Sequence, residues 1–173
     1  MLLTVRTATR DDRDAIRAVE RAAFGRDDEV ELVERVWALP EYLPALEFVA
    51  EDGGDLVGHV LHSIGYVEGD ASRHELVALA PLAVAPSHQR TGVGTALMNE
   101  AIERADAARY PAIVLLGHHA YYPRFGFVPA RSAGIEPNIE LPTDPDPFMV
   151  RLLGAWDERI RGVFRYCWDR PTE

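Results

Sequence analysis

The run Leu82-Ala83-Val84-Ala85-Pro86-Ser87-His88-Gln89-Arg90-Thr91-Gly92-Val93-Gly94-Thr95-Ala96-Leu97 decides the fold. Its apolar start reads as a strand, Pro86 to Thr91 as a polar turn, and the residues from Gly92 as the opening of a helix. The first amides of a helix have no carbonyl partner within it, and the helix dipole adds positive potential at that end. Gly92 and Gly94 leave the backbone bare there and Arg90 adds a cation, so the segment suits a phosphate. A dinucleotide fingerprint would need a third small residue, but Leu97 stands three positions after Gly94. A Walker loop would need a lysine. A glycine pair before a helix is also an ordinary turn, so a second motif has to choose between the readings.

Lysine is absent from the whole chain: all 18 basic residues are arginines. That excludes a pyridoxal Schiff base and a lysine-dependent aldolase along with the Walker loop. The chain has 173 residues, 47% of them apolar and 27% charged, which fits one globular domain over 1–173 and no membrane span. Against the 18 basic residues stand 28 acidic ones, a formal charge of −10. Broad contact with nucleic acid or anionic lipid is therefore disfavoured, and a cationic substrate suits the surface. A single cysteine, Cys167, forms no internal disulfide, and the first residues carry no secretory pattern, so the expected compartment is the cytoplasm.

Upstream of the decisive run, Leu2 to Thr7 reads as a strand. A helix follows, with Ala15, Ile16, Val19, Ala22 and Ala23 on its core face and Arg13, Arg17, Glu20 and Arg21 in water, ending at Gly25. A second helix runs from Asp28 to Leu39. Glu47 to Glu51, the turn Gly53-Gly54 and Leu56 to Val67 form a hairpin, with a third strand from Glu75 to Ala85. Pro81 cannot donate to a ladder, which places an edge, bulge or gap in pairing there. Downstream come a helix from Gly92 to Arg109, a strand at Ala112 to Leu116, a turn or helix at Ala120 to Phe125, and strands at Phe127 to Ala130 and Pro147 to Leu153. In the tail, Trp156 to Ile160 reads as one helical turn, and the alternation from Val163 to Trp168 as a final strand.

The second motif is Tyr122-Pro123-Arg124-Phe125-Gly126-Phe127. Gln89, Gly92 and Gly94 satisfy Gln/Arg-x-x-Gly-x-Gly/Ala, and the later run resembles Tyr-x-x-x-Gly-Phe. In this order the two resemble the pyrophosphate loop and the tyrosine signature of the Gcn5-related N-acetyltransferase (GNAT) superfamily, most strongly from Leu76 to Arg131. The resemblance implies an α+β fold, layered α/β/α, with a mixed, mainly antiparallel sheet whose fourth and fifth strands splay apart. It implies acetyl-CoA as cosubstrate, an acceptor amine as partner and direct transfer without a covalent enzyme intermediate. A homodimer is an expectation of the resemblance alone.

Transfer of acetyl from a thioester to an amine needs a neutral nucleophile, support for the developing oxyanion and a proton for the leaving thiolate. The resemblance implies that the Leu82 amide faces the thioester carbonyl, that Leu82, Ala83 and Val84 line the pantetheine arm, and that Gln89, Arg90, Thr91, Gly92, Val93, Gly94 and Thr95 hold the pyrophosphate. Tyr122 becomes the acid, and Tyr122 and Phe125 also contact the cofactor. At its ordinary pKa of about 10, Tyr122 is protonated near neutral pH and gives a falling limb in the rate as it ionises. Alternatively, Tyr121, Tyr122, Phe125 and Phe127 form an aromatic core cluster.

Ala78 occupies the place where some members carry a basic carboxylate. Glu75 is the nominated base, with His62 and Glu68 on neighbouring strands. The asparagine that often follows the family's fifth strand is missing, with Gly117-His118-His119 in that region. No metal is expected: His59 and His62, three apart on a strand, point to opposite faces. Cys167 reads as a small core residue. The rival to an enzyme is a non-catalytic acyl-CoA-binding or regulatory module that has lost acceptor chemistry, which Ala78 keeps open.

Overall fold

A computed structural model describes residues 1–169. The chain forms two compact units, one made of residues 1–62 and 80–104 and the other of residues 63–79 and 105 onward. Among the described residues nine strands and three α-helices build them, with short 3-10 turns between. Two of the strands, β3 and β4, contribute to both units.

In the first unit β1 (Leu3–Thr7), β2 (Phe48–Asp52) and the first half of β3 (Asp55–Glu68) pair antiparallel. The β2–β3 turn is Gly53-Gly54, both with left-handed φ (60° and 96°), the hairpin that the glycine pair predicts. Helix α1 (Arg13–Phe24) stops at Gly25, whose φ of 69° lets its amide return to Arg21 O. Helix α2 (Asp28–Trp37) buries Val30, Val33 and Val36 at helical spacing.

The face of α1 differs from the sequence expectation. Ala15 and Ala22 are exposed, whereas Ile16, Val19 and Glu20 are buried. Glu20 sits four residues after Ile16, within the stripe rather than opposite it, and burial is tolerated because His59 on β3 meets its carboxylate. Helix α3 (Val93–Ala107) lies close to β3: a Cβ on Gly58 would stand 2.7 Å from Val93 Cγ1 and 2.9 Å from Leu97 Cδ1. Gly58 thus admits the first turn of the helix against the strand.

In the second unit β4 (Arg73–Val84) pairs parallel with β5 (Ala112–Leu116) through Val77↔Ile113 and Ala78↔Val114 only. That register stops short of Pro81, in accord with a proline that has no donor for a ladder. Strand β5 continues antiparallel with β8 (Phe148–Leu152), which also pairs with the short β6 (Val128–Pro129). The last strand, β9 (Gly162–Tyr166), runs antiparallel to β3 at Gly65–Glu68 and parallel to β7 (Ile135–Pro137). Val67, Leu76, Ala78, Val114, Phe148 and Phe164 belong to one buried cluster.

The sequence does not reveal β7, because its bounding Gly134 and Pro137 read as loop punctuation. The stretch 156–160 forms two reverse turns, Trp156 N to Leu153 O and Ile160 N to Asp157 O, rather than one helical turn. Cys167 is buried, its Sγ donating to Ser63 Oγ at 3.5 Å.

Candidate functional site

The residues singled out by the sequence fall into two groups, one in each unit. In the first unit β4 ends at Val84, and Pro86–His88 form a 3-10 turn before α3 starts at Val93. Arg90 and Gly92 both have left-handed φ, 62° and 99°, so the backbone reverses its curl twice within three residues. Ala96 N donates to Gly92 O at 2.9 Å, the first bond of the helical ladder. The amides of Val93, Gly94 and Thr95 therefore precede that ladder. A Cβ built on Gly92 would meet nothing within 4 Å, so open space lies in front of the turn. Such a set of outward amides at a helix start, with exposed Arg90 beside it, is suited to a phosphate group.

The neighbouring side chains hold this turn. Gln89 Nε2 donates back to Val84 O at 3.2 Å, and Thr91 Oγ1 donates to His88 O at 2.6 Å. The Val93 side chain is buried, leaving its amide as the group it can offer. His88 Nε2 lies 3.1 Å from Asp52 Oδ2, and Ser87 Oγ lies 2.9 Å from His88 Nδ1, which ties the turn to the end of β2. Asp52 also accepts from Leu2 N, and that bond, with His88, holds its carboxyl below the ordinary carboxylate value. Leu82 and Val84 are partly exposed on β4, while Ala83 between them is buried, the alternation of a strand.

In the second unit the Tyr122–Phe125 turn follows β5 and closes at Gly126 with φ 82°. Tyr122 is partly buried, its ring edge-on to Tyr121 and Phe127 at centroid distances of 5.0 and 5.7 Å. Phe125 packs edge-on to Tyr121 at 5.4 Å. Burial, with a smaller contribution from Tyr121, pushes the Tyr122 phenol up to about 12. Glu75 is exposed, and Glu68 is exposed and paired with Arg165 at 2.9 Å. His118 and His119 are also exposed. Ala78 is fully buried and supplies no proton acceptor.

His62, the histidine considered as a base, lies in the first unit, buried, with Nδ1 donating to Leu46 O at 2.5 Å. Burial pulls its pKa down to about 4, so it is neutral. It packs edge-on to Phe48, whereas His59 meets Glu20 and Glu47. Among the described residues no group of three or more His, Cys, Asp or Glu side chains is placed so that it could hold a metal ion.

One feature of the first unit escapes the sequence reading. His59 Nδ1 lies 2.5 Å from Glu20 Oε1 and its Nε2 lies 2.9 Å from Glu47 Oε1, all three side chains buried. Trp37 Nε1 donates to Glu47 Oε1 at 2.9 Å, and the Tyr42 hydroxyl donates to Glu47 Oε2. Burial alone would lower His59, but hydrogen bonds to Glu20 and Glu47 overcome it and raise it above the ordinary imidazole value. Burial raises Glu20 as well. Burial also acts to raise Glu47, but the bonds from His59, Tyr42 and Trp37 leave it lowered. The only sequence signal was a glutamate at a core spacing of α1.

The residues 13–127 match the model of the acetyltransferase (GNAT) family. The chain belongs to that family and is an acyltransferase. It is 36% identical over 172 residues to the uncharacterized N-acetyltransferase YjhQ of Escherichia coli K12, covering 98% of this chain and 94% of that relative. The fold is similar to that of the GNAT family N-acetyltransferase YhbS from Escherichia coli, solved in complex with CoA. There the TM-score is 0.83 at 28% identity, over 95% of this chain and 89% of that one. It is also similar to a GNAT family acetyltransferase from Brucella melitensis solved in complex with acetyl-CoA, with TM-score 0.75, 26% identity and 95% of both chains covered. No helix among the described residues is long and apolar enough to cross a membrane.

Proposed function

We propose that this protein transfers the acetyl group of acetyl-CoA directly to a primary amine of a small molecule or peptide. The observation that carries the reading is the turn before α3, where left-handed Arg90 and Gly92 precede three amides outside the helical ladder. Those amides, with Arg90, hold the pyrophosphate, and the space in front of Gly92 is what a phosphate needs. Two relatives of high structural similarity were solved with CoA or acetyl-CoA, which supports the same cosubstrate here.

Leu82 offers its amide to the thioester carbonyl, and Val84 pairs with the pantetheine arm through its backbone as another strand would. Tyr122 gives its proton to the departing thiolate; its raised pKa keeps the phenol protonated at any physiological pH. Glu75 is exposed and free to take a proton from the acceptor ammonium, directly or through water. The acidic surface favours cationic acceptors such as polyamines, aminoglycoside-like amines or basic peptide termini.

The test is acetyl-CoA binding by calorimetry, followed by thiol release over a panel of such amines. Binding with turnover on at least one amine is the expected result. Binding with no turnover on any amine points instead to an acyl-CoA-binding module, and absence of binding removes the proposal.

A further inference from the structure

We infer that Gly117 is a positioning residue for the transfer: the side chain it lacks is what allows the Tyr122 ring its seat at the end of β5. The inference rests on the acid role proposed above for Tyr122. A Cβ on Gly117 would stand 2.2 Å from Tyr122 Cε2 and 2.8 Å from Cδ2. Carbon atoms in contact settle at roughly 3.5 to 4.0 Å, so alanine already displaces the ring. The Gly117 backbone lies outside the left-handed region, so its conformation does not call for glycine; the ring does.

Neither partner has an easy retreat. Gly117 N donates to Pro147 O at 2.9 Å, which holds the backbone beside β8. The ring is flanked edge-on by Tyr121 and Phe127. Its own backbone is held by the Tyr122 N to His118 O bond at 3.4 Å, and the turn around it by the Tyr121 N to His118 O and Gly126 N to Pro123 O bonds, each at 3.0 Å. A side chain at 117 therefore resolves the clash by rotating Tyr122 out of its seat, taking the hydroxyl away from the place where a proton is delivered. Proton transfer by a positioned group contributes roughly 10²- to 10⁴-fold, and a displaced donor forfeits much of it.

The experiment compares Gly117→Ala, Tyr122→Phe and the double variant in thiol release from acetyl-CoA, using the fastest amine of a panel of spermidine, an aminoglycoside and a basic peptide. Gly117→Ala is expected to lower kcat by about 10- to 100-fold with acetyl-CoA affinity unchanged. In the Tyr122→Phe background the same substitution is expected to cost nothing further, because no hydroxyl remains to misplace. Losses that multiply in the double variant overturn the inference.

A fully active Tyr122→Phe takes down the acid assignment and the inference with it. An impaired Tyr122→Phe beside an unaffected Gly117→Ala overturns the inference alone. Two measurements need no turnover. The ring resonances of Tyr122 in ¹³C-tyrosine-labelled protein, identified by their loss in Tyr122→Phe, are expected to move in Gly117→Ala, and unmoved resonances contradict the seat. If Gly117→Ala does not fold, Gly117→Ala/Tyr122→Ala is expected to recover the fold by removing the ring, and a double variant that also fails to fold overturns the steric cause.

Discussion

Tyr122 shows how a residue's surroundings change what its sequence implies. Read alone, a tyrosine ionises near 10 and ends the active pH range there. Packed among Tyr121, Phe127 and the bare backbone of Gly117, its phenol is pushed up to about 12. A general acid works while it holds its proton, so a raised value moves the falling limb to higher pH. The rate is therefore expected to rise as the acceptor amine deprotonates and to stay level through about pH 10, in place of the fall expected from the sequence. A fall in kcat centred near 10 or below that disappears in Tyr122→Phe would contradict this. At fixed pH, Tyr122→Phe is expected to reduce thiol release by about 100-fold and to leave acetyl-CoA binding intact, which calorimetry beside steady-state kinetics checks.

At the level of elements, the start of α3 and the floor beneath α1 make different demands. Gly94 is the second residue of α3, where the proposed pyrophosphate contacts the amides. Gly94→Trp is expected to fill that space and weaken acetyl-CoA binding by more than about 1.4 kcal/mol, a factor of 10, in a folded variant; unchanged affinity would remove the loop assignment. Beneath α1, two oxygens and two ring nitrogens meet within the Glu20–His59–Glu47 network. In the unfolded chain His59 loses its proton near 6.5. The folded network keeps it to higher pH because of its two carboxylate partners. The stabilisation is thus complete below about pH 6.5 and is lost as pH rises through the folded value. On the acid side Glu47, lowered in the fold, loses its share as pH falls through its own folded value. His59→Leu leaves two facing buried carboxylates and is expected to destabilise by about 3 to 5 kcal/mol, with the alkaline slope of stability abolished. Urea unfolding of both proteins across pH checks this. The strand, turn and helix around 82–97 were legible because glycine spacing and helix-start chemistry are local. Glu20 was not, since nothing near it in sequence says that a histidine on another element, 39 positions later, will meet it.

Across the whole molecule, element order was readable and its limits followed from physics. Local periodicity marks each strand, but β7 is three residues long and gains its place only by pairing with β9. Charge is the one property fully present in the sequence, and it acts at this scale. A formal −10 repels an anionic cosubstrate and attracts a polycationic acceptor, while Arg90 and the amides before α3 oppose the repulsion locally. Salt therefore acts in opposite senses on the two substrates. Screening lengths fall from more than about 10 Å below 0.1 M to about 3 Å at 1 M, so raising salt from about 0.05 to about 0.5 M removes most of the long-range field. For spermidine, kcat/KM is expected to fall severalfold over that range, for a singly charged amine much less, and the acetyl-CoA KM is expected to hold steady or decrease. Steady-state kinetics at four salt concentrations decide it: equal slopes for the two amines would show that the acceptor responds to no field of the molecule as a whole, and that its recognition rests on contacts at close range.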